Sequence, residues 1–279
     1  MDGETLPAVI REAVHAQCAA ARVPPERVRR VLLAVPGAYN PHTDCLHHVH
    51  VPGLNRPGLV GELRRILGVP LTVDNDVNLA AVAERRRGVA GTADSFVLLW
   101  FGEGLGLAID LGGTLLRGAN GGAGEIGYIA LGVSPGAGRQ PDLHDLVGGP
   151  AVLALAKEHG IEADTPRQAV AQATPAMLAE LADRIAVGLA VVIAVLDPAL
   201  VVLAGEVGQA GGPALRDAVA LAAQLGGAAT SQRSSVSGSN GTLIAVTGLT
   251  DDAVLLGALD AGLAEVREDL ISNLHKLTR

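Results

Sequence analysis

The sequence predicts an α/β fold, and three observations carry that prediction. Aliphatic runs of strand length alternate with helical patterns over residues 28–87, one run passes directly into a helix through Asp74-Asn75-Asp76, and a second strand-and-helix series fills the chain beyond a cluster of glycines. In order, residues 6–21 have helical spacing and stop near Pro24-Pro25, and 28–35 read as a buried strand closed by Pro36-Gly37. A helix over 57–67, a strand over 71–73 and a helix over 77–87 complete a β-α-β-α half-domain. After 88–94, strands over 95–101 and 105–110 form a hairpin, followed by the glycine block, helices over 150–159 and 165–195, and a buried strand over 200–204. A helix over 213–225 precedes a Ser/Gly-rich surface loop over 230–242, and a closing helix runs from 251 to about 272. There is no internal repeat.

Composition bounds the function. The 279 residues are 49% hydrophobic and 18% charged, enough for a large core, and the net charge of −8 leaves no electrostatic footprint for nucleic acid. The longest apolar stretch, 185–196, is too short for a bilayer and is expected to be a buried helix of a cytoplasmic protein. Cys18 and Cys45 lie in unlike contexts, which suits a reducing compartment without disulfides. Two Phe, two Tyr and one Trp make the core aliphatic and provide no aromatic set for stacking bases.

Two segments carry chemistry. Val73-Asp74-Asn75-Asp76-Val77-Asn78 ends a strand and opens a helix, the place where α/β sheets hold ligands, so Asp76 is a candidate general base. An Asx turn or helix N-cap explains the same residues without a ligand. In the second segment, five glycines over 116–129 surround Glu125 and let backbone approach a ligand closely.

Together with Asp74-Asn75-Asp76-Val77-Asn78, the blocks Arg117-Gly118-Ala119-Asn120-Gly121 and Ala123-Gly124-Glu125-Ile126-Gly127 resemble the ROK family of bacterial sugar kinases and sugar-responsive transcriptional repressors. The resemblance spans residues 31–263 and continues through Leu196-Asp197-Pro198-Ala199-Leu200-Val201-Val202-Leu203-Ala204-Gly205 and Asp251-Asp252-Ala253-Val254-Leu255-Leu256-Gly257-Ala258. It implies a two-lobed actin and sugar-kinase-like (ribonuclease H-like) fold that binds sugar in its cleft and assembles as dimers or tetramers. On that template, residues 1–90 with a returning helix over 251–279 form the small N-terminal lobe, and 91–250 form the large lobe, with a hinge near 88–93. The family's small lobe opens with a strand carrying an Asp-x-Gly-Gly-Thr phosphate loop ahead of the helix with which this chain begins, so the lobe is expected to be incomplete. Asp110-Leu111-Gly112-Gly113-Thr114 matches that loop in letters but stands elsewhere in the fold, and a Gly-Gly turn after a strand needs no phosphate.

The resemblance also implies roles. Asp76 matches the base that accepts a sugar hydroxyl proton during phosphoryl transfer, Asn75 a residue that hydrogen-bonds sugar hydroxyls, and Glu125 a carboxylate near the anomeric end. Asn75, Asp76 and Glu125 are expected to line one cleft. Three departures matter. Tyr128 replaces a His that contacts sugar and zinc; residues 133–145 contain no Cys where the family has zinc thiolates; and His144 replaces a second sugar-binding Glu. Zinc is therefore not expected. Gly102, Gly104, Gly106 and Gly205 mark a vestigial nucleotide region, where Glu103 replaces a small hydroxyl residue and would repel phosphates.

His42, Cys45, His47, His48 and His50 are spaced so that two or three could converge on a metal, but a solvated hairpin with surplus imidazoles is the commoner outcome of such a segment.

The expected loss of the first phosphate loop and the charge of Glu103 weigh against a kinase. The sequence reading therefore favours the sugar-sensing and oligomerising domain of a ROK-type transcriptional regulator, without kinase activity and without its winged helix-turn-helix. Its substrate-binding set is Asn75, Asp76, Glu125, Tyr128 and His144. No cofactor, direct nucleic-acid contact or membrane is expected, and self-association is. The alternative is an ATP-dependent sugar kinase, glucokinase-like, that binds ATP and Mg and uses Asp76 as general base on a hexose hydroxyl.

Overall fold

A computed structural model of the protein describes residues 6–47, 53–132, 140–225 and 241–277. They form two compact units. The first comprises Met1–Ala83, Arg117–Ala123 and Asp252–Arg279, and the second Glu84–Leu116 and Gly124–Asp251.

The first unit holds α1 (Leu6–Ala20), β1 (Val31–Val35), β2 (Ala38–Asn40), β3 (Cys45–His47), α2 (Leu59–Leu67), β4 (Leu71–Asn75), most of α3 (Asp76–Arg87) and, at the far end of the chain, α9 (Ala253–Leu277). β1 and β4 run parallel, from Val31 opposite Leu71 to Val35 opposite Asn75. β4 therefore extends two residues past the predicted strand, because its polar end is still paired. Leu59, Val60 and Leu63 of α2 pack with Val35, Leu71 and Val73 in the core of this unit. β2 and β3 form a hairpin pinned by Asp44, whose carboxylate accepts from the Tyr39 hydroxyl at 2.7 Å, from the Gly61 N–H at 2.9 Å and from Arg64 at 3.1 Å. α9 packs on α3 at Gly257, where a Cβ would lie 1.7 Å from the Leu79 carbonyl oxygen. Leu255, Leu259, Leu263, Leu270 and Leu274 of α9 are exposed.

The second unit contains β5 (Ser95–Phe101), β6 (Leu105–Leu111), β7 (Thr114–Leu115), α4 (Leu143–Val147), α5 (Gly149–Glu158), α6 (Pro166–Ala171), α7 (Pro175–Leu196), β8 (Leu200–Ala204), α8 (Gly205–Leu225) and β9 (Leu243–Val246). Its sheet runs β7-β6-β5-β8-β9, with β5 antiparallel to β6 and parallel to β8. Phe96 to Leu99 on β5 and all of β8 are buried, which is why both read as unbroken apolar runs.

Several elements differ from expectation for local reasons. The helix predicted over 165–195 is two helices, because the Thr174 hydroxyl caps the Met177 N–H at 3.2 Å and Pro175 starts a new first turn. α8 begins eight residues earlier than predicted and kinks at Gly212, ahead of Pro213. β9, four residues of a sheet edge, was not anticipated. Within 185–196, Val187, Val191 and Val195 are exposed, so that stretch is buried on one face only. Most of the predicted Ser/Gly loop lies outside the described residues.

The Asp110 to Thr114 turn is a two-residue hairpin loop between β6 and β7, with Gly112 at φ 63° and Gly113 at φ 83°. Asp110 is buried, accepts the Gly113 N–H at 2.8 Å and pairs with Arg85 at 2.5 Å. The Arg85 guanidinium also lies over the Phe96 ring at 5.0 Å and donates to the Ala90 carbonyl at 3.0 Å. The phosphate-loop letters therefore stand in a hairpin turn closed by its own hydrogen bonds. Nearby in this unit, the fully buried Glu84 carboxylate accepts from the Val89 N–H and the Thr247 hydroxyl, each at 2.6 Å. Among the described residues no helix is long and apolar enough to cross a membrane.

Candidate functional site

The strand-to-helix junction at β4 and α3 is built by its own polar run. Asn75 is the cap: its Oδ1 accepts the Asn78 N–H at 3.0 Å, three residues on, while its Nδ2 donates to the Gly37 carbonyl at 3.1 Å. Asn75, and not Asp76, thus makes the cap across the first turn. The Asp76 Oδ1 accepts the adjacent Val77 N–H at 2.8 Å, and the half-buried carboxylate sits in the first turn of α3, where the helix dipole favours negative charge. The N-cap reading is therefore correct for Asn75, one residue before the candidate base.

A cavity of about 330 Å³ opens beside this junction, lined by Tyr39, Pro41, Asp74, Asn75, Asn78 and Arg117, with Val73, Gly118 and Gly121 completing the wall. All these residues belong to the first unit. Its size falls at the lower end of the about 300–1,000 Å³ range of small-molecule sites. Asp74 is buried and collects the Asn75 N–H at 2.9 Å, the Asn78 Nδ2 at 3.4 Å, and the Arg117 Nε and Nη2 at 3.2 and 2.6 Å. Opposite, Gly121 at φ 79° lets the glycine loop lie against Tyr39, since a Cβ there would be 2.1 Å from the Tyr39 carbonyl oxygen. Burial, and then the hydrogen bond to Asp44, raise the Tyr39 phenol above its ordinary pKa.

Glu125, Tyr128 and His144 belong to the second unit. Glu125 precedes a single 3₁₀ turn over Ile126–Tyr128, and His144 lies in the first turn of α4, which Asp142 and Asp145 cap reciprocally. The Tyr128 and His144 rings meet at 5.0 Å between centroids, tilted by 55°. Gly127 makes room for them, because a Cβ there would fall 1.8 Å from the imidazole. Burial, followed by the carboxylates of Glu125 and Asp142, pushes the Tyr128 phenol above its usual pKa.

The glycines of the nucleotide region also sit in the second unit. Gly102 and Gly104 close the β5–β6 turn through a 3.0 Å bond from the Gly102 N–H to the Gly104 carbonyl. Gly205, φ 76°, starts α8 so close to β5 that a Cβ would lie 2.2 Å from the Phe101 carbonyl oxygen. The N–H of Gly149, first residue of α5, donates to the Glu103 carbonyl at 3.4 Å. Two helix N-termini therefore meet one hairpin turn, a favourable setting for anionic oxygens. Gly106 stands apart, within β6 opposite Trp100. Glu103 is exposed.

His42 and His47 are exposed, the Cys45 thiol donates to the Thr43 carbonyl at 3.3 Å, and His48 and His50 lie outside the described residues. Among the described residues no three His, Cys, Asp or Glu side chains are grouped to hold a metal. Asp74, Arg117 and Tyr39 were missed as site residues. The first two stood inside the quoted motifs, but nothing local pairs residues 43 positions apart.

Several known proteins with similar sequences or folds are sugar kinases. The chain is 29% identical over 208 residues to the glucokinase of Halalkalibacterium halodurans, a match covering 66% of this chain and 63% of that protein. The chain thus spans somewhat less than two thirds of that relative. The ROK hexokinase of Thermus thermophilus superimposes with a TM-score of 0.73 at 26% identity, over 96% of this chain and 89% of that one. A ROK transcriptional regulator described as a homologue of the E. coli MLC protein gives 0.72 at 20% identity, over 93% and 68%, and shows the shared fold.

These relatives correct two readings, the expectation that the chain is the sensing domain of a regulator and the leaning against its being an enzyme. The sequence similarity is to a glucokinase, and at 26% identity the structural likeness is to a hexokinase. Physically, the weight placed on Glu103 was too great. The Glu103 carboxylate is exposed, so its charge acts through solvent of high dielectric and repels a neighbouring anion far less than a buried carboxylate would. The mixed α/β architecture is that of the ROK sugar-kinase fold, the ROK family model matches residues 3–260, and the chain belongs to the ROK family.

Proposed function

We propose that this chain is the body of an ATP-dependent sugar kinase that phosphorylates a hexose hydroxyl. The observation that carries this reading is the place of Asp76, in the first turn of α3 at the β4–α3 junction and next in sequence to Asn75, which caps the helix and lines the cavity of the first unit. In the reaction Asp76 takes the hydroxyl proton as the oxygen attacks the γ-phosphorus, the bond to the β–γ bridging oxygen breaks, and ADP leaves. Asn75 keeps one Nδ2 hydrogen for a sugar hydroxyl beyond its bond to Gly37. Glu125, Tyr128 and His144, which belong to the second unit, keep in this reading the sugar-binding roles that the family resemblance implies for their positions.

The β5–β6 turn, with the starts of α5 and α8, suits the phosphates. ATP enters as its magnesium complex, which fits the acidic residues at that end, Glu103 and Glu206, better than the free anion does. The exposed leucines of α9 support self-association as a dimer or tetramer, and the composition suits the cytoplasm. The test is transfer of label from γ-labelled ATP to a panel of hexoses, N-acetylhexosamines, hexuronates and hexose phosphates, with products separated by chromatography. A labelled sugar monophosphate is expected. Label released only as inorganic phosphate, or not at all, contradicts the reading.

A further inference from the structure

Among the polar side chains lining the cavity of the first unit, most hydrogen-bonding capacity is already spent inside the protein. The Tyr39 hydroxyl donates to Asp44 and accepts from Arg64 at 3.1 Å, the Asn78 amide donates to Asp74, and Asn75 bridges Gly37 and Asn78. Asp74 is saturated by backbone, amide and guanidinium donors. Beyond the one remaining Nδ2 hydrogen of Asn75, the largest remainder is that of Arg117. Asp74 takes its Nε and Nη2, half of its side chain is exposed, and it lines the cavity, so the Nη1 edge offers two charged donors there. The guanidinium is also held in place, since its other edge is fixed on a buried carboxylate and its loop is fixed by the approach of Gly121 to Tyr39. A fixed guanidinium edge recognises anionic oxygens in particular.

From this geometry we infer that the cavity takes a sugar carrying an anionic oxygen group, a carboxylate or a phosphate, with Arg117 as the residue that selects it. The inference rests on the proposed sugar site and narrows its substrate class from hexoses in general to acidic sugars. The anionic group meets Arg117 Nη1, and the polyol ring lies towards Asn75. Asp74 serves as a positioning residue, because it orients the guanidinium without touching the ligand.

Calorimetric titration of the full chain with glucose, glucuronate and glucose 6-phosphate tests this. The acidic sugars are expected to bind at least about tenfold more tightly than glucose, as one charge-assisted hydrogen bond provides, and the two arms tell carboxylate from phosphate. In Arg117→Gln the ratio should fall to about one, while Arg117→Lys keeps part of it. Because Arg117→Gln leaves Asp74 without its partner, the double variant Asp74→Asn/Arg117→Gln is measured beside it, with thermal unfolding to establish folding. Equal binding of neutral and acidic sugars by the natural protein overturns the inference. So does an equal loss for glucose and glucuronate in both variants, which would make Arg117 merely structural, and so does the absence of any sugar binding. Binding of acidic sugars without label transfer from ATP would defeat the kinase reading alone. Transfer to hexoses without an acidic preference would defeat this inference alone.

Discussion

Arg117 Nη2 lies 2.6 Å from Asp74 Oδ2, joining the first residue of the glycine loop to the end of β4 across 43 positions of sequence. Asp74 is buried and Arg117 half exposed, so the pair lies between a solvated surface bridge and a desolvated one. Both residues line the cavity of the first unit, together with Asn75.

Breaking that pair from either side should cost stability. Arg117→Met strands a buried carboxylate and is expected to lower unfolding free energy by about 1–2 kcal/mol, less than a fully buried pair would lose because half of the guanidinium is in water. Urea unfolding of both single variants and the double variant reads the coupling. Additive effects would show that the contact contributes nothing.

Two glycines should respond in opposite ways. Gly121→Ala places a Cβ 2.1 Å from the Tyr39 carbonyl oxygen at a positive φ, and is expected to cost more than about 2 kcal/mol. Gly112→Asn puts Asn-Gly into a turn with both φ values positive and should stay within about 0.5 kcal/mol. Any loss of catalytic activity on Gly112→Asn, with stability intact, would mean that the Asp110 to Thr114 turn does more than close a hairpin.

Alkaline stability should depend on Tyr39. Its folded pKa is raised by burial and then by Asp44, so the folded state holds the phenolic proton more tightly than the unfolded chain does. The contribution is fully present below the unfolded value of about 10 and is lost as pH rises through the folded one. Urea midpoints from pH 8 to pH 11 should fall less steeply above pH 10 in Tyr39→Phe than in the natural protein. A residual slope is expected from Tyr128, which is raised for similar reasons. Parallel slopes for the two proteins would rule out the Tyr39 contribution.

The parts of this molecule legible in its sequence are those governed by near neighbours. The β5–β6 hairpin, β8 and the strand-to-helix change at Asp74-Asn75-Asp76 follow from apolar runs and polar punctuation, and the structure has them within one or two residues. Helix breaks inside apolar stretches were legible only in part. The cap at Thr174 and the kink at Gly212-Pro213 are written in the sequence, but the hydrophobic pattern continues across the first, while Pro213 masked the earlier half of α8. At the site, Asn75 and Asp76 could be named as a pair, but which of them caps α3 depends on where β4 ends, and its partner β1 sets that. The Asp74–Arg117 contact joins two elements distant in sequence, and no local pattern encodes it. Function was misjudged because a formal charge at Glu103 was weighed without its exposure.

The central claim is that Asp76 accepts a proton from a sugar hydroxyl during phosphoryl transfer. A coupled ADP-release assay, run on the natural protein and on Asp76→Asn with the same sugar panel, tests it most directly. The account predicts sugar-dependent ADP release that falls by at least about a hundredfold in Asp76→Asn, with sugar binding by calorimetry retained. Turnover that survives the substitution, or no sugar-dependent turnover in the natural protein, would contradict it.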